Sequence, residues 1–286
     1  ITYFESTDFT DKKDTLNHIM LQDIQQDSTK IFSYFYLGLF KYFDKNYQES
    51  EKYFIKYSKS NNRDINPLIF LGKIHFLQSN WLEAIFYFYR ALKIDPNNLN
   101  ANLYLAKSLI QIEDYDKAIK ILKYILKDNK NNYDLIFSLG IANYFIQEHD
   151  KGIEYFTQAL LLNSGDYNTY YYLGLSYVAL DRNKKALDVY KKCISINPNF
   201  SLAQYEIGKI YELVLDDNKA IEHFELAKRS LSFDDLNYRL GIIYYKNELF
   251  LKAMNPLKDY IINNLKDFPT LQILGDIFIK VKRYAE

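Results

Sequence analysis

The side chains able to act on a substrate are few and dispersed. The four histidines, His18, His75, His149 and His223, have no His, Asp or Glu partner at the spacing by which a metal site or proton relay is assembled. His75 stands among apolar residues at helix-packing spacing and reads as a core residue. The single cysteine, Cys193, excludes an internal disulfide framework, and no CxxC pair is present to hold zinc. It stands where sister segments carry Ala91 and Ala159, so it reads as a small buried filler rather than a nucleophile. The carboxylate pairs Asp216-Asp217 and Asp234-Asp235 fall between predicted helices, where helix capping accounts for them. The lysine row Lys117, Lys120, Lys123 and Lys127 is the solvated face of one helix. No glycine-rich phosphate loop and no GxSxG are found. These residues predict no catalytic centre, no metal site and no cofactor.

Charge narrows the partner classes. Lys plus Arg and Asp plus Glu both number 36, giving a formal net charge of zero. Nucleic acid and anionic membrane surfaces call for a basic excess that is missing here. No apolar run reaches the length of a transmembrane helix, and residues 1–14 are too polar for the core of a secretory signal. A cytoplasmic and a periplasmic home fit equally well.

The organising signal lies in the glycines. Seven of the nine, Gly38, Gly72, Gly140, Gly174, Gly208, Gly241 and Gly275, follow one another at intervals of 34, 68, 34, 34, 33 and 34 residues, with Ala106 on the skipped mark. A fixed period of this length signals a stack of small helical units. The segment Asn66–Pro96 reads as two amphipathic helices joined at Gln78-Ser79-Asn80 and ended by Asp95-Pro96, with the Asn97-Asn98 pair placed to cap the next helix.

Glycine inside a helix is destabilising by ~0.5–1 kcal/mol relative to alanine, so each one needs a compensating contact. Twelve residues later comes another small residue: Ser50, Ala84, Ala118, Gly152, Ala186, Ala220 and Ala253. Four further on comes a bulky one: Phe54, Phe88, Leu122, Phe156, Tyr190, Phe224 and Leu257. Small residues at both places let the two helices of a hairpin approach, and the bulky ones fill the outer gap.

Leu-Gly, a small residue twelve later, an aromatic four after that, then Ala and Pro: this pattern resembles the tetratricopeptide repeat (TPR). It covers residues 31–286 in about eight registers, the last truncated. The departures are Ala106 in place of glycine, Tyr57 and Ile125 in place of the repeat's Ala, a one-residue deletion near Ser232-Phe233, and Pro256, which is expected to kink a second helix. Residues 1–30 are expected to hold a capping helix over Lys12–Gln26, with Asp27-Ser28 as the break before the array. The array stops at Tyr284-Ala285-Glu286, where a second helix should begin, so the natural polypeptide is expected to continue. The resemblance implies an all-α, right-handed superhelical solenoid of antiparallel helix pairs, whose first helices line a concave groove.

Relative to each glycine, the positions three before, two before, one after and four after build that groove. Three before stand Phe35, Phe137, Tyr171, Tyr205 and Tyr238. Two before stand Tyr36, Phe70, Tyr104, Tyr172 and Arg239. One after stand Lys73, Lys107 and Lys209, and four after stand Tyr42 and Tyr144. So many rings on a solvated face suit partner binding, because tyrosine offers contact area at little entropic cost. Packing between neighbouring first helices is the competing role. Six before the glycine, Asn66, Asn100, Asp134 and Asn168 either cap helices or bind the backbone of an extended peptide. The lysines are suited to an acidic ligand segment. The Lys/Asn/Arg clamp of the co-chaperone subclass is missing, the first repeat having Phe35 and Leu39 at its positions. The expected function is a noncatalytic scaffold binding a partner peptide or helix in the groove. The alternative is a structural module of a larger chain that self-associates through its repeat ends.

Overall fold

The computed structural model describes residues 7–27 and 30–285, which hold sixteen helices and no strand. The chain is an all-α helical-repeat solenoid that divides into two compact units, residues 1–148 and 149–286. The first unit contains α1 (Thr7–Gln26), α2 (Ile31–Phe43), α3 (Tyr47–Ser60), α4 (Asn66–Leu77), α5 (Trp81–Ile94), α6 (Leu99–Gln111), α7 (Tyr115–Leu126) and α8 (Tyr133–Phe145). The second contains α9 (His149–Leu162), α10 (Tyr167–Ala179), α11 (Asn183–Ile196), α12 (Ser201–Leu213), α13 (Asp217–Lys228), α14 (Asp234–Lys246), α15 (Phe250–Asn263) and α16 (Phe268–Ala285). The first helix thus begins five residues before the expected Lys12, while Ser28 lies outside the described residues. The helix α15 continues through Pro256, whose ring is buried.

In five hairpins the glycine is a notch for one side chain. A Cβ added to Gly72 would stand 2.5 Å from Phe88 Cε1, and one on Gly208 would stand 2.6 Å from Phe224 Cδ1. Gly38 receives Phe54, Gly174 receives Tyr190 and Gly241 receives Leu257 in the same way. The filling side chains Phe54, Phe88, Tyr190, Phe224 and Leu257 are fully buried, as are the small residues Ser50, Ala84, Ala186, Ala220 and Ala253 opposite them. Burying each large side chain stabilises by roughly 1.5–3 kcal/mol, which outweighs the helix penalty of the glycine. Ser50 adds a hydrogen bond from its hydroxyl to the Gly38 carbonyl, 2.7 Å long. In α16 the pattern stops: no atom lies within 4 Å of a Cβ on Gly275.

The turn inside each hairpin is equally regular. Seven residues after each glycine mark the backbone turns left-handed, at Lys45, Ser79, Glu113, Gln147, Asp181, Leu215 and Glu248, with φ between 54° and 64°. None is glycine. The amide of the next residue returns to the carbonyl five positions back (Asn80 to His75, 2.9 Å; Asp216 to Tyr211, 3.0 Å), which satisfies carbonyls the helix end leaves free. First helices are capped by Asn98, Asn132 and Asp166, whose side chains accept from Ala101, Leu135 and Thr169 amides. These caps stand eight residues before the glycine mark. Asn100 and Asp134, two positions later, are already inside the helices and cap nothing.

Candidate functional site

In the first unit the first helices pack directly on one another, α4 on α6 and α6 on α8, so their side chains meet across repeats. The rings two before the glycine lie on the notch-filling ring of the preceding hairpin. Phe70 stacks on Phe54 at 5.2 Å and 11°, and Tyr104 on Phe88 at 5.9 Å and 27°. In the second unit Tyr172 stacks on Phe156 at 6.0 Å and 22°. One sequence column therefore joins neighbouring repeats. The column three before the glycine turns to the second helix of its own hairpin instead. Phe35 meets Tyr57 at 5.1 Å, Tyr171 meets Tyr190 at 6.1 Å, and Tyr238 meets Tyr260 at 5.0 Å.

What remains open to a ligand differs between the units. In the first, Tyr42 sits edge-on to Phe70 at 5.1 Å, and Phe76 bridges Trp81 at 5.1 Å and Tyr104 at 5.5 Å. Tyr36 is 48% exposed, whereas Phe35, Tyr42, Phe70 and Tyr104 are half-buried. Burial pushes the Tyr42 hydroxyl up to about 12, helped by the neighbouring hydroxyls of Tyr104 and Tyr47. Burial also raises Tyr104, with Asp134 adding to it. Lys73 lies over the Tyr104 ring at 4.7 Å and the Phe70 ring at 5.8 Å, and Lys107 lies over Tyr104 at 5.6 Å. Phe137 stacks on Tyr133 at 5.7 Å, and Tyr144 packs against Phe145 at 5.3 Å.

In the second unit the corresponding face is charged and internally matched. Val178, Glu206, Lys209, Glu212 and Arg239 line a cavity of about 310 Å³. Lys209 pairs with Glu206 at 3.1 Å, and Arg239 reaches both Glu212 and Asp235 at 2.6 Å. Tyr205 is 8% exposed and donates its hydroxyl to Asp235, so its ring closes the core between repeats and is withdrawn from the face. Sequence columns missed Asp134 and Asp235 as partners of inward side chains. Their signal was the position six before the glycine mark, read as capping or ligand-binding, where both instead reach back to the preceding repeat (Lys107 to Asp134, 2.7 Å; Tyr205 to Asp235).

The side chains with chemical potential are absorbed by packing. Cys193 is fully buried, and burial, helped by the charge of Asp166, pushes its thiol up to about 12, which leaves it protonated at neutral pH. His75 stacks on Tyr87 at 5.3 Å, and His223 stacks on Tyr211 at 5.6 Å while its Nδ1 meets Gln204 at 2.6 Å. Among the described residues no three His, Cys, Asp or Glu side chains are placed to hold a metal ion, and no helix is long and apolar enough to cross a membrane.

Two tetratricopeptide-repeat family models match the chain, over residues 75–139 and 167–200. The crystal structure of MamA is 31% identical, covers 56% of this chain and 93% of its own, and superposes with a TM-score of 0.51. At 18% identity two further structures share the fold. YrrB, described as a TPR protein with an unusual peptide-binding site, covers 64% of this chain and 95% of its own (TM-score 0.55). Cut9, from the APC/C hetero-tetramer Cut9-Hcn1, covers 81% of this chain and 46% of its own (TM-score 0.67). No curated protein matches the sequence significantly.

Proposed function

Because this chain belongs to the tetratricopeptide-repeat family, whose members serve as protein-interaction scaffolds, we propose that it is a noncatalytic scaffold that holds a partner peptide on the first-helix face of residues 1–148. The observation that carries this is the set of incompletely covered rings Tyr36, Tyr42, Phe70 and Tyr104, in which Tyr42 packs on Phe70, and Phe70 and Tyr104 face the ammonium of Lys73. Rings fixed by stacking lose little entropy when a ligand covers their free edges, which is the property of a binding anchor. YrrB shares the fold and has a peptide-binding site, so this fold can carry one.

Selection from a displayed random-peptide library against the whole chain tests the reading. Tyr36→Ala and Tyr104→Ala are expected to weaken the selected peptides by about tenfold or more. Phe86→Ala, at an exposed position of α5, is expected to leave them unchanged. Circular dichroism separates the two roles of Tyr104. Lost stability with intact peptide affinity would assign that ring to packing alone.

A further inference from the structure

The lysines that are half-buried among the described residues are Lys41, Lys73, Lys107, Lys209, Lys228 and Lys280. Five of the six have a carboxylate at hand: Glu49 at 3.0 Å, Asp134 at 2.7 Å, Glu206 at 3.1 Å, Asp259 at 3.5 Å and Asp276 at 2.9 Å, for Lys41, Lys107, Lys209, Lys228 and Lys280 respectively. Lys73 has none within ion-pair distance among the described residues. It has instead the faces of Phe70 and Tyr104. Removing a charge from water without an opposite charge is unfavourable. The ammonium is accordingly easier to deprotonate than usual, through burial and then through the nearby charge of Lys107.

The repeat explains the vacancy. Lys107 reaches the acid that stands 27 residues later, Asp134. The residue 27 after Lys73 is Asn100, at the same place in its helix. An amide in place of a carboxylate leaves the first of two equivalent lysines without its internal anion, while the second is neutralised.

We infer that Lys73 is the recognition point for an Asp or Glu side chain of the bound peptide, carried between apolar residues that cover Phe70, Phe76 and Tyr104. This rests on the groove reading above and adds the ligand's chemistry to it. A single unpaired ammonium set among rings fits one negative charge in an otherwise apolar segment. An extended acidic run fits less well, because Lys107 is already engaged by Asp134. A carboxylate from the ligand restores the pairing that the other half-buried lysines have, and the surrounding rings keep water from competing with it.

The peptides selected by display are then synthesised with acetylated N-termini and amidated C-termini, as acid and as Glu→Gln or Asp→Asn pairs. The acid form is expected to bind the native chain about tenfold or more tightly than its amide. The difference is expected to vanish in Lys73→Met, which keeps the apolar stem. It is also expected to vanish in Asn100→Asp, which leaves Lys73 in place and supplies the missing internal partner. Circular dichroism melts confirm that both variants are folded. Selected peptides that bind without an acid, or an acid preference that survives in both variants, would overturn the assignment while leaving the groove reading intact. A preference that appears only when the peptide's C-terminal carboxylate is free would overturn it in favour of terminus recognition. Failure to select any peptide that Tyr36→Ala or Tyr104→Ala weakens would remove the groove reading and this inference with it.

Discussion

Phe88→Ala is expected to destabilise residues 1–148 by about 3–5 kcal/mol, the range for removing a fully buried ring. Phe88 is 0% exposed. Its ring fills the Gly72 notch within its own hairpin and is the surface on which Tyr104 of the next hairpin stacks. Truncation therefore leaves two gaps, one inside a repeat and one between repeats. Neither can close by a local rotamer change, because glycine has no side chain to move and Tyr104 is held between Phe88 and Phe76. Stability in a repeat array is a sum of intrinsic and nearest-neighbour contributions, so the loss should fall first on the hairpins that hold Phe88 and Tyr104. Urea unfolding followed by far-ultraviolet circular dichroism reads this as a lowered midpoint. Phe86→Ala is the internal control: the residue is 56% exposed and its loss should stay within about 0.5 kcal/mol. Equal effects at the two positions would refute the notch as the organising contact.

Glycine to alanine should change sign along the chain. At Gly72 the added methyl would stand 2.5 Å from Phe88 Cε1 and 2.6 Å from its Cζ, a separation that forces the ring or the helix to move. Overpacking of this kind costs about 1–3 kcal/mol, against which the better helix propensity of alanine returns only ~0.5–1 kcal/mol. Gly72→Ala is thus expected to be a net destabiliser by about 1–2 kcal/mol. At Gly275 nothing lies within 4 Å of the new carbon, so only the propensity gain remains and the variant should be more stable by ~0.5–1 kcal/mol. Melting curves of the two variants decide the matter. A stabilised Gly72→Ala, or a Gly275→Ala as damaging as Gly72→Ala, would show that the glycines answer to something other than the ring opposite.

How much of this was legible in the residues depends on the distance over which each feature is determined. The period, the hairpins and the pairing of each glycine with a residue sixteen later are local to one repeat, and a single repeat displays them. The stacking of Phe70 on Phe54 is not local. It depends on the displacement between successive hairpins, which no column of residue types specifies. For the same reason Tyr205, read as a ring for a ligand, turned out to be buried against Asp235 and Phe233. The left-handed turn residues were hidden for another reason. Lys45, Glu113 and Leu215 carry no preference for positive φ, and the geometry is imposed by the two hydrogen bonds that end the helix. Asn98, expected with Asn97 to cap the next helix, does so, whereas Asn100 does not: the two are alike as letters and differ only in which amide lies within reach. That same Asn100, set beside Asp134 in the next register, is what distinguishes Lys73 from Lys107.

The one mark without a glycine carries a lesson about how such a chain can change. Ala106 is matched by Leu122, a branched aliphatic residue, where its neighbours in the series set Phe88 and Phe156 opposite glycine. Volume at one site is thus tied to volume sixteen residues away, across the turn. A genetic crossover within a hairpin would separate the two and deliver Ala106 to a phenyl ring, whereas glycine accepts either a ring or, as Gly241 does with Leu257, an aliphatic filler. A crossover in the connections between hairpins, such as Asp95-Pro96-Asn97, moves both members together. Packing at Ala106 therefore favours breakpoints between hairpins over breakpoints within them, whatever surface the exchanged segments carry.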